Sequence, residues 1–553
     1  MRALVSLLVL LYLIAQPALL HAQTGRWMKY EQAFQSDKTY ENPLYNVQKF
    51  SVRFTSPSGR VKTVLGFWDG GTSWRVRFAP DEVGTWTYAT ECSDQTNAGL
   101  HGQKGTFTCV DKASPYDIYT KGTIMHPQGT YHLTHADGTP FFYTACTAWN
   151  GALKSTDAEW DTYLKDRAAN HYNVIQFVTT QWRGGSKNSR GQVAFTGSGR
   201  ISLSPEFFQL LDKKVDEINA HGLVAAPVLL WALPTGAGRE LSPGYHLPEP
   251  EAILLAKYMV ARYGGHHVIW FLGGDGKYID EYEQRWKNIG RAVFGGENGN
   301  ARPPGVVALH PQGRSWVGKQ YAHEDWVDIL GFQTGHNATP NTQKWITEGP
   351  IAQEWSYLPP KVFINLEPVY EDINKDADAA DIRNASYWSV FSTPVAGITY
   401  GANGIWPWIR PGEEIENHGK PPILRPWDES IKLPGSVQIG YLAEFMRKYP
   451  WWQLKPAPEL LVENKEAGEF ISVVRSDDRS TILAYVPRPA TVKLFNLSGI
   501  SYQGQWFDPA KNTYAPATLS VKQGVLQAAS PGDASPSDAS PDDGDRVLVL
   551  QRK

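Results

Sequence analysis

Between about residues 120 and 450 the sequence alternates apolar, often β-branched runs with stretches of helical period, and this rhythm constrains the fold more than any other feature. The runs fall at 140–149, 172–180, 222–231, 267–275, 305–311, 328–336, 361–368 and 397–408. Between them lie amphipathic segments such as "DAEWDTYLKDRAAN", "SPEFFQLLDKKVDEINAHG", "PEAILLAKYMVARYGG" and "IDEYEQRWKNIGRAVFG". Ser204-Pro205 opens one of these as N-cap and first-turn proline, and Gly222 closes it. Continuous apolar strands separated by helices signal a parallel sheet covered on both faces. Eight such units match a (β/α)8 TIM barrel better than an open doubly wound sheet. No Gly-x-Gly-x-x-Gly opens a helix after the first strand, which counts against a dinucleotide fold.

The flanks have a different texture, which makes the whole a multidomain α/β chain with a central barrel at 116–453 and a β-sandwich on each side. Residues 23–115 alternate apolar and polar positions between Ser-Gly, Asp-Gly-Gly and Gly-Thr breaks, as an N-terminal β-sandwich does, with Trp68, Trp74, Phe78 and Trp86 as core or face residues. Residues 454–553 return to short strands and form a C-terminal β-sandwich, interrupted by an acidic low-complexity loop at 529–545 just before the last strand. Residues 1–22, with Arg2 followed by an apolar run, read as a signal peptide and imply a secreted or periplasmic protein with no membrane span after cleavage. Among the three cysteines, Cys92 and Cys109 share one β-rich segment and form a possible disulfide after export, or stay as buried thiols; Cys146 sits in an apolar run as a small hydrophobe. No cysteine or histidine spacing resembles a metal site, and nothing calls for a cofactor. Lys+Arg 53 against Asp+Glu 56 gives a net charge of −3 with no basic stripe, so nucleic acid is not an expected partner.

Barrel enzymes work at the carboxyl ends of their strands. The fourth run ends in Gly273-Gly274-Asp275 and the seventh in Leu366-Glu367-Pro368, so one carboxylate from each faces the other across the mouth. Two opposed carboxyls are what glycoside hydrolysis requires, one to protonate the leaving oxygen and one to attack or to activate water. Glu371, in "EPVYED", is a rival to Glu367 but lies farther past the strand end. The same rim carries Trp149, Gln181, Trp182, Trp231, His310, His336, Asn337, Tyr400, Trp406 and Trp408, a mixture of flat aromatic faces and hydrogen-bonding groups suited to a polyol. The 21 Trp, 26 Tyr and 21 Phe fit a carbohydrate partner.

These motifs also resemble a known family. "GTIMHPQGTYHLTHADGTPFFYTACTAW", "YNVIQFVTT", "VIWFLGGDG" and "INLEPVYE" resemble the apiosidase-like glycoside hydrolases over about 120–450. The N-terminal segment looks like the β-sandwich module placed before such barrels, and the C-terminal one is similar to the small sandwich, labelled collagen-binding, that follows them. The resemblance implies Asp275 in the acid/base place and Glu367 in the nucleophile place. One departure stands out: the family's first-strand motif reads Gly-Asp-Thr-Ala-Trp, whereas here it is Ala145-Cys146-Thr147-Ala148-Trp149. The missing carboxylate is expected near the sugar pocket. The reading is a retaining glycoside hydrolase acting on a poly- or oligosaccharide. A non-catalytic sugar-binding barrel is the first alternative. A polysaccharide lyase, using His310, His336 or Tyr400 as base with Arg183 and Arg410 as rim cations, is the second.

Overall fold

The computed structural model describes residues 23–296, 302–373, 377–495, 497, 499–532 and 544–553; the leader expected at 1–22 and most of the 529–545 loop lie outside the described residues. Eight parallel strands form the central sheet: β1 Tyr143–Thr147, β2 Val174–Val178, β3 Val224–Trp231, β4 Ile269–Gly274, β5 Val306–Leu309, β6 Ile329–Gln333, β7 Val362–Glu367 and β8 Gly397–Tyr400. They are hydrogen-bonded in the order β7-β6-β5-β4-β3-β2-β1-β8, and β7 lies beside β8, which brings the sheet round into a barrel. Every residue in all eight strands is buried, which is why the sequence shows continuous apolar runs rather than alternation.

The seam between β7 and β8 is stitched beyond the strand ends. Glu371 pairs with Ala402, its N–H donating to the Gly401 carbonyl (3.0 Å) while its carbonyl accepts from Asn403 N–H (2.9 Å). β8 is shorter than the run at 397–408 suggests. The chain turns at once, Ile405 N–H donating to the Ala402 carbonyl (3.0 Å), so Trp406 and Trp408 sit on a loop. The helix Pro205–Ala220 begins with its first-turn proline as expected, although the Ser204 hydroxyl makes no capping bond; Gly222 takes φ +76°, a conformation that favours glycine.

The N-terminal unit is two packed sheets. One holds, in order, Gln23–Gly25, Lys104–Val110, Gly84–Cys92, Phe50–Thr55 and Val61–Leu65; the other holds Tyr30–Gln35, Ser73–Phe78 and Phe67–Gly70. Trp74, Phe78 and Trp86 are core residues here, Phe78 stacking on Phe54 at 4.5 Å. The possible Cys92–Cys109 disulfide is corrected by the register. Cys109 lies opposite Gly84, whereas Cys92 stands eight residues farther along that strand, opposite Phe50. At about 3.4 Å per residue the two are on the order of 25 Å apart, far beyond the ~7 Å Cα limit for bridging, and both are free thiols. In the C-terminal unit a six-stranded sheet faces a three-stranded one. Its last strand, Arg546–Arg552, inserts between Thr481–Val486 and Tyr502–Asp508, so the chain beyond the low-complexity stretch completes the middle of the sheet.

Both sandwiches are fixed to the barrel by buried charge. Asp212, on the helix Pro205–Ala220, accepts from Arg77 of the N-terminal sandwich (2.6 Å) and from two nitrogens of Arg262 (2.7 and 2.6 Å). Arg262 also reaches Asp69 (2.8 Å), and Phe67 lies against both guanidiniums. On the other side Arg383 grips Asp545 (2.8 and 3.0 Å), and Tyr387 stacks on Tyr485 at 4.6 Å. Removing Asp212 leaves the buried Arg77 and Arg262 with only Glu31 and Asp69 to offset their charge. Asp212→Ala is therefore expected to destabilise the full chain by about 3–5 kcal/mol in denaturant unfolding. A loss below about 1 kcal/mol, the range of exposed pairs, would show the docking to be dispensable.

Candidate active site

Asp275 follows the last residue of β4 and Glu367 is the last residue of β7, so the barrel itself delivers both carboxyls to one end. Asp275 sits at φ +52°, a left-handed conformation that aspartate tolerates at a modest cost and that is held here by a specific bond. Its N–H donates to His310 Nδ1 (3.1 Å), and the neighbouring Gly276 N–H donates to the His310 carbonyl (3.1 Å). A backbone N–H can only donate, so Nδ1 is the acceptor and the ring proton sits on Nε2. That nitrogen lies 3.0 Å from Glu367 Oε2. His310 thus touches the backbone of one candidate and the carboxyl of the other.

Three further groups converge on Glu367. His336 Nε2 lies 3.2 Å from Oε1, Tyr370 OH donates to the same oxygen (2.7 Å), and Gln333 Nε2 donates to Oε2 (2.6 Å). The Gln333 nitrogen also donates to Asp275 Oδ1 (2.7 Å). One carboxyl oxygen from each of Asp275 and Glu367, with a His310 nitrogen, lie within 4.8 Å of one another. These three could be read as a metal set, but His310 has its acceptor nitrogen engaged by Asp275 N–H, which leaves the protonated Nε2 3.0 Å from Glu367, and the Gln333 amide stands between the carboxyls. Such donor chemistry suits proton transfer rather than ligation.

The two carboxyls are pushed in opposite directions. Burial raises Asp275 to about 6, and the Glu367 charge adds to the rise. Burial also opposes ionisation of Glu367, but hydrogen bonds from His310 and His336 outweigh it and hold Glu367 well below the usual carboxylate range. His336 shifts upward: burial works against its proton, and Glu367, then Asp275, overcome that. Neighbouring carboxyls with divergent protonation are the arrangement by which one becomes an acid while the other stays an anion.

Around this pair the structure gathers an aromatic wall. Trp231 stands between Trp149 (ring centroids 5.6 Å) and Trp182 (4.3 Å); Trp406 follows at 6.1 Å from Trp182, and His310 lies 5.5 Å from Trp149. Trp149 Nε1 donates to Tyr370 OH (2.8 Å), which ties the wall to Glu367. Four expected contacts are placed elsewhere. Gln181 spends its amide on Phe195 and Ala194 backbone (2.8 and 2.9 Å), bracing a loop. Asn337 accepts from Thr339 (2.8 Å) at the start of the helix Pro340–Glu348. Trp408 is fully buried, stacked on Trp427 at 4.6 Å, and offers no free face to a ligand. Tyr400 OH donates to Glu371 (2.6 Å), whose other oxygen accepts from Gly435 N–H (3.0 Å), so both belong to the barrel seam.

Gln333 and Tyr370 were absent from the residues singled out by sequence. The sixth run, 328–336, suggests a strand reaching His336, whereas β6 ends at Gln333, its first polar residue after the apolar core, and that polarity is the signal for it. Cys146 is buried, as its apolar run implies, but this position is not beside the pocket where the family's carboxylate is expected. It faces outward, 3.8 Å from Arg167 of the helix Asp157–Ala169, and not into the pocket. A carboxylate at this position would meet Arg167.

A family model described as an apiosidase-like catalytic domain matches residues 127–453, and one described as domain of unknown function DUF5060 matches residues 23–93. No curated protein matches the chain. Among solved structures, one named glycoside hydrolase aligns with TM-score 0.67 at 22% identity, covering 79% of this chain and 98% of its own. A glycoside hydrolase family 5 protein from Bacteroides vulgatus aligns with TM-score 0.67 at 22% identity over 79% of this chain and 95% of its own. A third structure, also from Bacteroides vulgatus and assigned provisionally to the glycoside hydrolases, covers 96% of this chain and 100% of its own with TM-score 0.69 at 16% identity. These likenesses are of fold.

The electrostatic coupling gives a direct check. Replacing Glu367 with Gln removes the like charge beside Asp275, so the Asp275 midpoint is expected to fall below about 6 in pH-difference infrared spectra, with Asp275→Asn used to assign the band. An unchanged midpoint would show that burial alone sets it.

Proposed function

The chain belongs to the apiosidase-like catalytic-domain family of glycoside hydrolases, and from that premise we propose that it cleaves an O-glycosidic bond of a poly- or oligosaccharide with retention of anomeric configuration. Asp275 starts protonated and donates to the glycosidic oxygen as the bond to the anomeric carbon breaks. Glu367, held ionised by His310 and His336, attacks that carbon from the other face and forms a covalent glycosyl-enzyme. Asp275, now a carboxylate, takes a proton from water, which attacks the same carbon and frees Glu367.

The observation that carries this reading is the close approach of the two buried carboxyls, one oxygen of each lying within 4.8 Å of the other and both accepting from the Gln333 amide. Retaining enzymes space the two groups by about 5–5.5 Å, whereas inverting ones need roughly 6.5–9.5 Å to admit a water. Trp149, Trp182, Trp231 and Trp406 pack behind the carboxyl pair as a buried apolar cluster, and Trp406, its most exposed ring, is the one we assign to pack on a sugar. We take residues 1–22 as an export leader, so the enzyme acts outside the cytoplasm.

A screen of plant and bacterial polysaccharides identifies the glycoside cleaved. On that substrate Asp275→Asn should lower turnover by about 10²–10⁴-fold, and Glu367→Gln should abolish it with the fold intact. Because Asp275 must start protonated, activity is expected to fall as pH rises through about 6. Near-normal hydrolysis in Glu367→Gln would overturn the assignment.

A further inference from the structure

The residue at the centre of the carboxyl pair is neither an acid nor a base. Gln333 ends β6, and the β6–β7 register slips at this point: Phe332 pairs with Asn365, but Gln333 pairs with Glu367. β7 therefore carries one extra residue, Leu366, in a bulge. Bulges of this kind re-aim a side chain. Without the slip Gln333 would stand opposite Leu366 and not beside Glu367.

A primary amide nitrogen has two hydrogens, and here one goes to each carboxyl, at 2.7 Å to Asp275 and 2.6 Å to Glu367. The amide oxygen must then point away, because turned inward it would face two acceptors. It lies against Gly313, where an added Cβ would come within 2.8 Å of Gln333 Oε1. The same loop holds the other end of the residue, Arg314 N–H donating to the Gln333 carbonyl (2.7 Å). We propose that Gln333 is a positioning residue that holds the Asp275 and Glu367 carboxyls at their working separation, and that Gly313 keeps its amide in that orientation.

This deepens the hydrolase reading and rests on it. Occupying Oδ1 of Asp275 with a donor leaves Oδ2 to carry the proton destined for the leaving oxygen. Two amide hydrogens between the carboxyls also lessen their mutual repulsion. The groups facing the pair are His310 at the β5 exit, Gln333 and His336 from β6 and its exit, Tyr370 from the β7 exit and Tyr278 past β4, with Arg183 and His418 at longer range. A donor favours the ionised form of its acceptor, so removing it moves the Asp275 midpoint upward.

The test is the infrared pH titration of the full chain for wild type, Gln333→Leu and Gly313→Ala, with thermal unfolding of each. Gln333→Leu removes the donors; Gly313→Ala leaves them present but displaces them, and the collision is with a flexible side-chain tip, so the fold is kept. Both variants should raise the Asp275 midpoint, Gln333→Leu by about one pH unit, a tenfold change in proton affinity. Gly313→Ala should melt like wild type. An unchanged midpoint in either folded variant overturns the proposal. The midpoint is read without substrate, so failure of every glycoside to be cleaved would sink the hydrolase reading while leaving this result to stand or fall alone.

Discussion

The His310 ring is the contact on which the rest of the site depends. Its Nδ1 accepts from the Asp275 backbone, which fixes the ring proton on the nitrogen beside Glu367. One side chain therefore stabilises the left-handed turn that presents the acid and the anion that serves as nucleophile. The ring is fully buried, so neither contact competes with water. The opposed protonation of the carboxyls follows from this asymmetry: Glu367 is surrounded by donors, whereas Asp275 has burial and a like charge.

That precision needs a rigid barrel. β7 and β8 are joined past their ends by Glu371, whose backbone bonds Gly401 and Asn403 and whose carboxyl is held by Tyr400 and Gly435. Outside, the Asp212 network fixes the helix after β2 to the N-terminal sandwich, and Arg383 with Asp545 fixes the helix after β7 to the C-terminal one. The sandwiches are thus fastened to helices that follow site-bearing strands. Removing a buried charge there is felt as lost stability.

The barrel was legible because strands buried on both faces cannot hide: each run is apolar from end to end. Asp275 and Glu367 were legible for the same reason, as carboxylates terminating such runs. Gln333 was not, since its orientation depends on a one-residue slip in register that no local pattern records. Trp408 was misplaced because β8 stops at Tyr400 and the loop folds the ring back onto Trp427. Cys146 was legible as a buried small hydrophobe, but not the strand alternation that sends it to the helix side, toward Arg167. Cys92 and Cys109 show the same limit. Proximity in sequence gave no information on distance along a hairpin whose register separates them by eight positions.

The central claim is that Glu367 attacks carbon rather than activating water, and the anomeric form of the first product tests it most directly. Proton NMR of the reaction in its first minutes, before mutarotation, should show the sugar released with the same configuration as in the substrate. Initial release of the opposite anomer would contradict the account, because it requires a water between the sugar and Glu367, whereas one oxygen of Glu367 lies within 4.8 Å of one of Asp275.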